Sequence, residues 1–228
     1  MAAIATAATA AVAAGTRAAR AAAADDLIAK VKDKSDKVRA EAMLGAGKVG
    51  AAAVKPLAGA MADADFEVAR AARRALWNLV RYVGRPGADD EKKAAVTELI
   101  PLVGESQPVA VRREAAWMLS ELAGDEAVEP VAALLSGKDL REDSRMVLER
   151  LPGEKSLAAL KAGLAAAPED FKPNVAISLR ARGVEVAGMP DKRTVGSRET
   201  KVKAMTAAEL QEAAKAAKSA KQKKGKKQ

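Results

Sequence analysis

The middle of the chain repeats itself. A repeat constrains a fold more than any single motif, because each copy must take the same structure and bury its apolar face on the next. Four segments align: Asp36-Lys37-Val38-Arg39-Ala40-Glu41-Ala42, Asp65 to Ala72, Pro108 to Ala116, and Asp139 to Ser144. With Val38, Val68, Val111 and Leu140 in one column, the residue four positions on is Ala42, Ala72, Ala115 or Ser144. Eight positions on stand Ala46, Leu76, Leu119 and Leu148, and eleven on Val49, Leu79, Leu122 and Leu151. Offsets of 0, 4, 8 and 11 trace one face of an α-helix. The small residue at the second position lets neighbouring helices approach, and the larger ones fill the space between them.

A second helix is predicted after each of these. Val54-Lys55-Pro56-Leu57 matches Val128-Glu129-Pro130-Val131, and the apolar runs continue to Ala60-Met61 and Leu134-Leu135. Proline is tolerated in the first turn of a helix, where its missing N–H has no partner to lose. Leu99, Ile100 and Val103 provide the same face in the second repeat, and Leu157, Leu160 and Leu164 in the fourth. The columns are spaced by 30, 43 and 29 residues. The long spacing predicts an insertion over Arg81 to Lys92, where Gly84-Arg85-Pro86-Gly87 stops the helix and makes a turn. A weaker fifth unit begins near Pro168, carries Ile177 and Leu179, and ends by Gly183; Asp25 to Val31 reads as the half-repeat that opens the stack.

This pattern resembles the HEAT repeat family, specifically the short bacterial phycobilisome-lyase-like HEAT repeats. The residues that carry the resemblance are Asp36-Lys37-Val38-Arg39, Val111-Arg112 with Ala115-Ala116, and Gly124-Asp125-Glu126-Ala127-Val128-Glu129-Pro130-Val131, and it covers roughly residues 25 to 183. It implies an all-α fold, a short α-solenoid of about four to five helix pairs. For function it implies little, since families with such repeats range from scaffolds to a few enzymes. Two departures stand out: Ala69 where the family prefers Arg, and Ser144-Arg145 in place of the alanine pair, which suggests a more solvated unit at the end of the stack.

Composition narrows the chemistry. The chain has no histidine and no cysteine. Zinc, haem and iron–sulfur sites lose their usual ligands, and serine or cysteine nucleophiles lose their partners. A non-catalytic protein with no cofactor and no metal is the expectation. The resemblance points the same way: family members with metal-dependent hydroxylase activity need histidines that this chain lacks, and a chromophore lyase rests on the family name alone. Asp89-Asp90-Glu91 and Glu142-Asp143 lie where helices begin, where acids interact favourably with the helix dipole rather than forming a catalytic pair. Gly45-Ala46-Gly47-Lys48-Val49-Gly50 has no preceding strand and no Ser or Thr after the lysine, so it is not a phosphate loop.

The net charge of +9 is unevenly placed: residues 1–188 hold 27 Lys and Arg against 26 Asp and Glu, and residues 189–228 hold 12 against 4. Four regions follow. Residues 1–24 are an Ala-rich extension or a targeting segment, 25–188 the solenoid, 189–205 an extended linker, and 206–228 a flexible, basic, partly helical tail. A cytoplasmic location is the expectation, or an exported or organelle-targeted one if residues 1–24 are a cleaved signal. No run of about twenty apolar residues predicts a membrane span. The tail opens on a capping box, Thr206-Ala207-Ala208-Glu209. Lys215, Lys218, Lys221, Lys223, Lys224, Lys226 and Lys227 are its polyanion-binding candidates. Its Ala/Lys composition resembles that of linker-histone tails; the plain alternative is a solubilising tail.

The partner-binding candidates lie in the repeats. Trp77 and Trp117 are interaction anchors or, on the plainer reading, core fillers whose indole N–H finds a carbonyl. Arg70, Arg73, Arg74 and Arg81 share a helix face; they are anion contacts or a solvated face paired with Asp63, Asp65 and Glu67. The expected function is a protein–protein interaction scaffold that holds an unidentified protein partner on the curved surface of the second helices, with the tail tethering it to a polyanion. The alternative is a nonspecific nucleic-acid-associated protein acting mainly through the Lys-rich tail.

Overall fold

The computed structural model describes residues 18–190, 205–213 and 215, and the chain divides into two units, residues 1–193 and 194–228. In the first unit the described residues form α-helices and short 3-10 turns and no strand. The helices are α1 (18–31), α2 (Asp36–Val49), α3 (Val54–Ala60), α4 (Phe66–Val83), α5 (Asp89–Leu99), α6 (Val109–Leu122), α7 (Val128–Ala133), α8 (Arg141–Arg150), α9 (Gly153–Ala166) and α10 (Lys172–Ala181).

The fold is an all-α solenoid of helix pairs. First helices pack side by side in the order α2, α4, α6, α8, α10. Second helices form the other layer, where α3 meets α5 and α7 meets α9. The layers are joined within each pair, as α4 to α5 and α8 to α9. One hydrophobic cluster runs from Ala24, Leu27 and Val31 of α1 to Val175 and Leu179 of α10.

The repeat columns form this core. Of the sixteen residues at the four offsets, only Val38 and Val49 are partly exposed and the rest are buried. The stripe is therefore the true inner face. Alanines at Ala42, Ala72 and Ala115 allow close helix spacing, while Leu76, Leu79, Leu119 and Leu148 are among the largest fully buried side chains. Each buried leucine contributes roughly 1.5–3 kcal/mol. Helix ends are set locally. Asp65 Oδ1 accepts the Glu67 N–H at 2.8 Å and caps α4. Gly50, at φ 72°, ends α2 in a conformation that side chains disfavour.

Three features differ from expectation. The insertion is mostly helix: α4 runs on to Val83 and α5 starts at Asp89, so only residues 84–88 form the turn. The last full pair is not solvated at its alanine position, since Ser144 is fully buried and donates to the Val131 carbonyl at 2.6 Å. Helix α10 covers it, and a polar network of Glu142, Arg145, Glu149, Asn174 and Ser178 joins α10 to α8. Third, α1 runs through residues 24 and 25 as one helix with Ala24 buried. The segment Gly45–Val49 lies within α2, as its rejection as a phosphate loop requires.

Arginines following the first column reach backbone or neighbouring acids. Arg39 donates to the Asp33 carbonyl at 2.6 Å, and Arg112 to the Val103 carbonyl at 3.1 Å. Arg141 pairs with Asp170 at 2.5 Å and lies over the Phe171 ring. That guanidinium holds the Asp170 carboxyl below its ordinary range.

In the second unit residues 207–213 and 215 are helical. The capping box forms: Thr206 N–H donates to Glu209 Oε2 at 2.6 Å, and the Glu209 N–H to Thr206 Oγ1 at 3.3 Å. The first of these bonds holds the Glu209 carboxyl below its ordinary range. No helix among the described residues is long and apolar enough to cross a membrane.

Candidate functional site

On α4, Val68, Ala72, Leu76 and Leu79 turn inward to the core. A period of 3.6 then sends Arg70, Arg73, Arg74, Trp77 and Arg81 toward the outer face of the first-helix layer. Five of the six partner-binding candidates meet there. Arg73, Arg74, Trp77 and Arg81 of α4 and Trp117 of α6 line one groove of about 800 Å³. Its other walls include Met43 and Leu44 of α2 and Arg150 of α8, so it spans four successive first helices. Arg70 lies instead in an adjoining groove of about 510 Å³, with Met61 and Phe66. Arg73 and Arg74 line both, which makes the two continuous.

Both tryptophans are half-buried, between the roles of core filler and surface anchor. Their indole N–H groups find carboxylates rather than carbonyls. Trp77 Nε1 donates to Glu114 Oε2 at 2.6 Å, and Arg73 Nε binds the other oxygen of Glu114 at 2.7 Å. Trp117 Nε1 donates to Asp143 Oδ1 at 2.8 Å, and Arg113 Nε to Asp143 Oδ2 at 2.9 Å. The arrangement therefore occurs twice. A tryptophan and the arginine four residues before it share one helix face, and together they grip one carboxylate of the next first helix. Arg81 stacks over Trp77 at 5.7 Å, and Arg150 over Trp117 at 5.8 Å. Such cation–π contacts contribute about 0.5–1 kcal/mol at exposed sites.

The arginine face is paired differently from expectation. Arg70 pairs with Glu67, but Arg73 reaches across to Glu114. Asp65 is the α4 cap, and Asp63 pairs with Lys32 at 3.1 Å. The backbone N–H of Asp65, and then Lys32, hold the Asp63 carboxyl below its ordinary range. Arg74 and Arg81 have no carboxylate partner among the described residues. The groove also lies on the first helices, not on the second-helix surface expected to carry a partner.

Residues outside the sequence-level candidates complete the site. Leu44 is 80% exposed, and Met146 is 40% exposed on the same face of α8. A column would have shown both: six positions after the first column stand Leu44, Arg74, Trp117 and Met146. Glu114, Asp143 and Arg150 had no such signal. Of the tail lysines, Lys215 is helical and exposed; Lys218, Lys221, Lys223, Lys224, Lys226 and Lys227 lie outside the described residues. Asp89, Asp90 and Glu91 open α5, and Glu91 chelates Arg85 at 2.6 and 3.0 Å, which holds its carboxyl below the ordinary range.

The chain matches no protein-family model and no curated protein. Among solved structures it is similar to a designed armadillo repeat protein in complex with the peptide (KR)4, at 19% identity and a TM-score of 0.40 over 68% of this chain and 80% of that one. A second designed armadillo repeat protein is similar at 19% identity and a TM-score of 0.37, again over 68% of this chain and 80% of that one. An engineered protein solved by crystallography is similar at 20% identity and a TM-score of 0.37, over 69% of this chain and 78% of that one.

Proposed function

We propose that this protein is a non-catalytic, HEAT-like interaction scaffold that holds a segment of a protein partner in the groove on its first helices. One observation carries the reading. Leu44, 80% exposed, and the half-buried Trp77 and Trp117 stand together in an open groove that the chain's own first unit leaves uncovered. Exposed apolar surface gathered in one place and rimmed by charge marks an interaction site more often than a scattered leucine does. The HEAT assignment is supported by units of two helices and by the inward-reaching Arg39 and Arg112. The basic tail, with Lys215, Lys218, Lys221, Lys223, Lys224, Lys226 and Lys227, adds electrostatic tethering to a polyanion.

Affinity purification from the native cell tests both parts, using the full chain, Leu44→Glu, and a chain lacking residues 206–228, each with and without nuclease. Leu44 is exposed enough that the charge leaves the fold intact. A discrete protein partner should survive nuclease, be lost with Leu44→Glu, and persist without the tail. Recovery that collapses with nuclease or with tail deletion, and ignores Leu44→Glu, would replace this reading with a nucleic-acid-associated protein acting through its tail.

A further inference from the structure

The groove's charges point to what it holds, on the reading that it holds a partner at all. Six arginines line its two joined halves. Four are already neutralised: Arg70 by Glu67, Arg73 by Glu114, Arg113 by Asp143 and Arg150 by Glu121. Arg74 and Arg81 are exposed and have no carboxylate partner among the described residues. They stand seven residues apart on α4, about 10 Å along the helix axis at 1.5 Å per residue. An extended chain covers that distance in about three residues. Apolar groups flank the pair on both sides: Leu44 and Met43 on α2, Trp117 on α6, and Phe66, 73% exposed, at the start of α4.

From this geometry we infer that the groove binds an extended acidic segment of a partner protein. Two carboxylates about three residues apart meet Arg74 and Arg81, and apolar side chains beside them cover Leu44, Trp117 and Phe66. Charge complementarity asks for an acidic peptide rather than a basic one, because both uncompensated side chains are arginines. It also argues against a nucleic acid. A run of phosphates asks for a run of uncompensated cations, and the groove has two.

Panning a random 12-residue peptide display library on the full chain tests the inference, with Trp77 and Trp117 as the chain's two tryptophans reporting binding by their emission. Enriched peptides should carry at least two Asp or Glu together with large apolar residues. A synthetic copy should bind Arg74→Glu/Arg81→Glu at least tenfold more weakly than the parent, and should weaken as salt rises. Enrichment of neutral or basic peptides that Leu44→Glu abolishes would overturn the acidic class and leave the groove reading standing. No enrichment, or binding that ignores Leu44→Glu and the double charge reversal alike, would overturn both. A (dT)20 oligonucleotide that displaces the peptide and binds more tightly would overturn the inference in favour of nucleic acid.

Discussion

Glu114 is 16% exposed and serves two donors at once, the Trp77 indole and the Arg73 guanidinium. Replacing it with alanine leaves a half-buried N–H without an acceptor, which costs about 1–3 kcal/mol. Glu114→Ala should lower the free energy of unfolding in urea by that amount and shift tryptophan emission, while Glu114→Gln, which keeps one acceptor oxygen, should cost less. The core residues were legible one by one, because each sits at a fixed offset on its own helix. The carboxylates that hold the tryptophans were not. Trp77 and Glu114 are 37 residues apart, and Trp117 and Asp143 are 26 apart. Their meeting depends on how far one helix slides along the next, which a single-helix pattern does not encode. Leu44 was legible in principle, at the offset of Trp117, but an apolar residue off the main stripe carries no weight until the face it occupies is known.

Helices α2 and α4 cross at Gly47. A Cβ there would lie 2.5 Å from Tyr82 Cβ, closer than any side chain can be packed. Glycine to alanine within a helix ordinarily gains up to about 1 kcal/mol. Overpacking at a rigid contact costs about 1–3 kcal/mol and outweighs that gain. Gly47→Ala should therefore destabilise the protein by a net of up to about 2 kcal/mol in chemical denaturation, whereas Gly45→Ala, whose Cβ meets nothing within 4 Å, should not. Helix α4 also shows why so little of the insertion is loop. Val80 and Val83 are buried and continue the inward stripe of α4 past Leu79. The added residues lengthen a helix whose apolar face is already supported, and the chain breaks where Gly84, Pro86 and Gly87 deny it further turns.

At the scale of the whole stack, each pair depends on its neighbours, so stability is close to a sum of local terms. The C-terminal end is closed by Arg182. Its guanidinium donates to the carbonyls of Leu151 at 2.8 Å and Gly153 at 2.9 Å, and to Ser156 Oγ at 3.0 Å. It also donates to the carbonyls of Leu148 at 3.2 Å and Glu149 at 3.3 Å, which the end of α8 leaves without helical partners, and it complements the helix dipole. Arg182→Ala should raise hydrogen exchange in α8, α9 and α10 by one to two orders of magnitude and leave α2 to α4 unchanged; uniform loss of protection would mean that the stack unfolds as one unit. The two carboxylate grips have a mechanical consequence. Glu114 and Asp143 act as fixed rungs between consecutive first helices, so the distance from Trp77 to Trp117 is a measure of the stack's pitch. Flexing the stack would load those two rungs, and a partner bound across them as proposed would stiffen it.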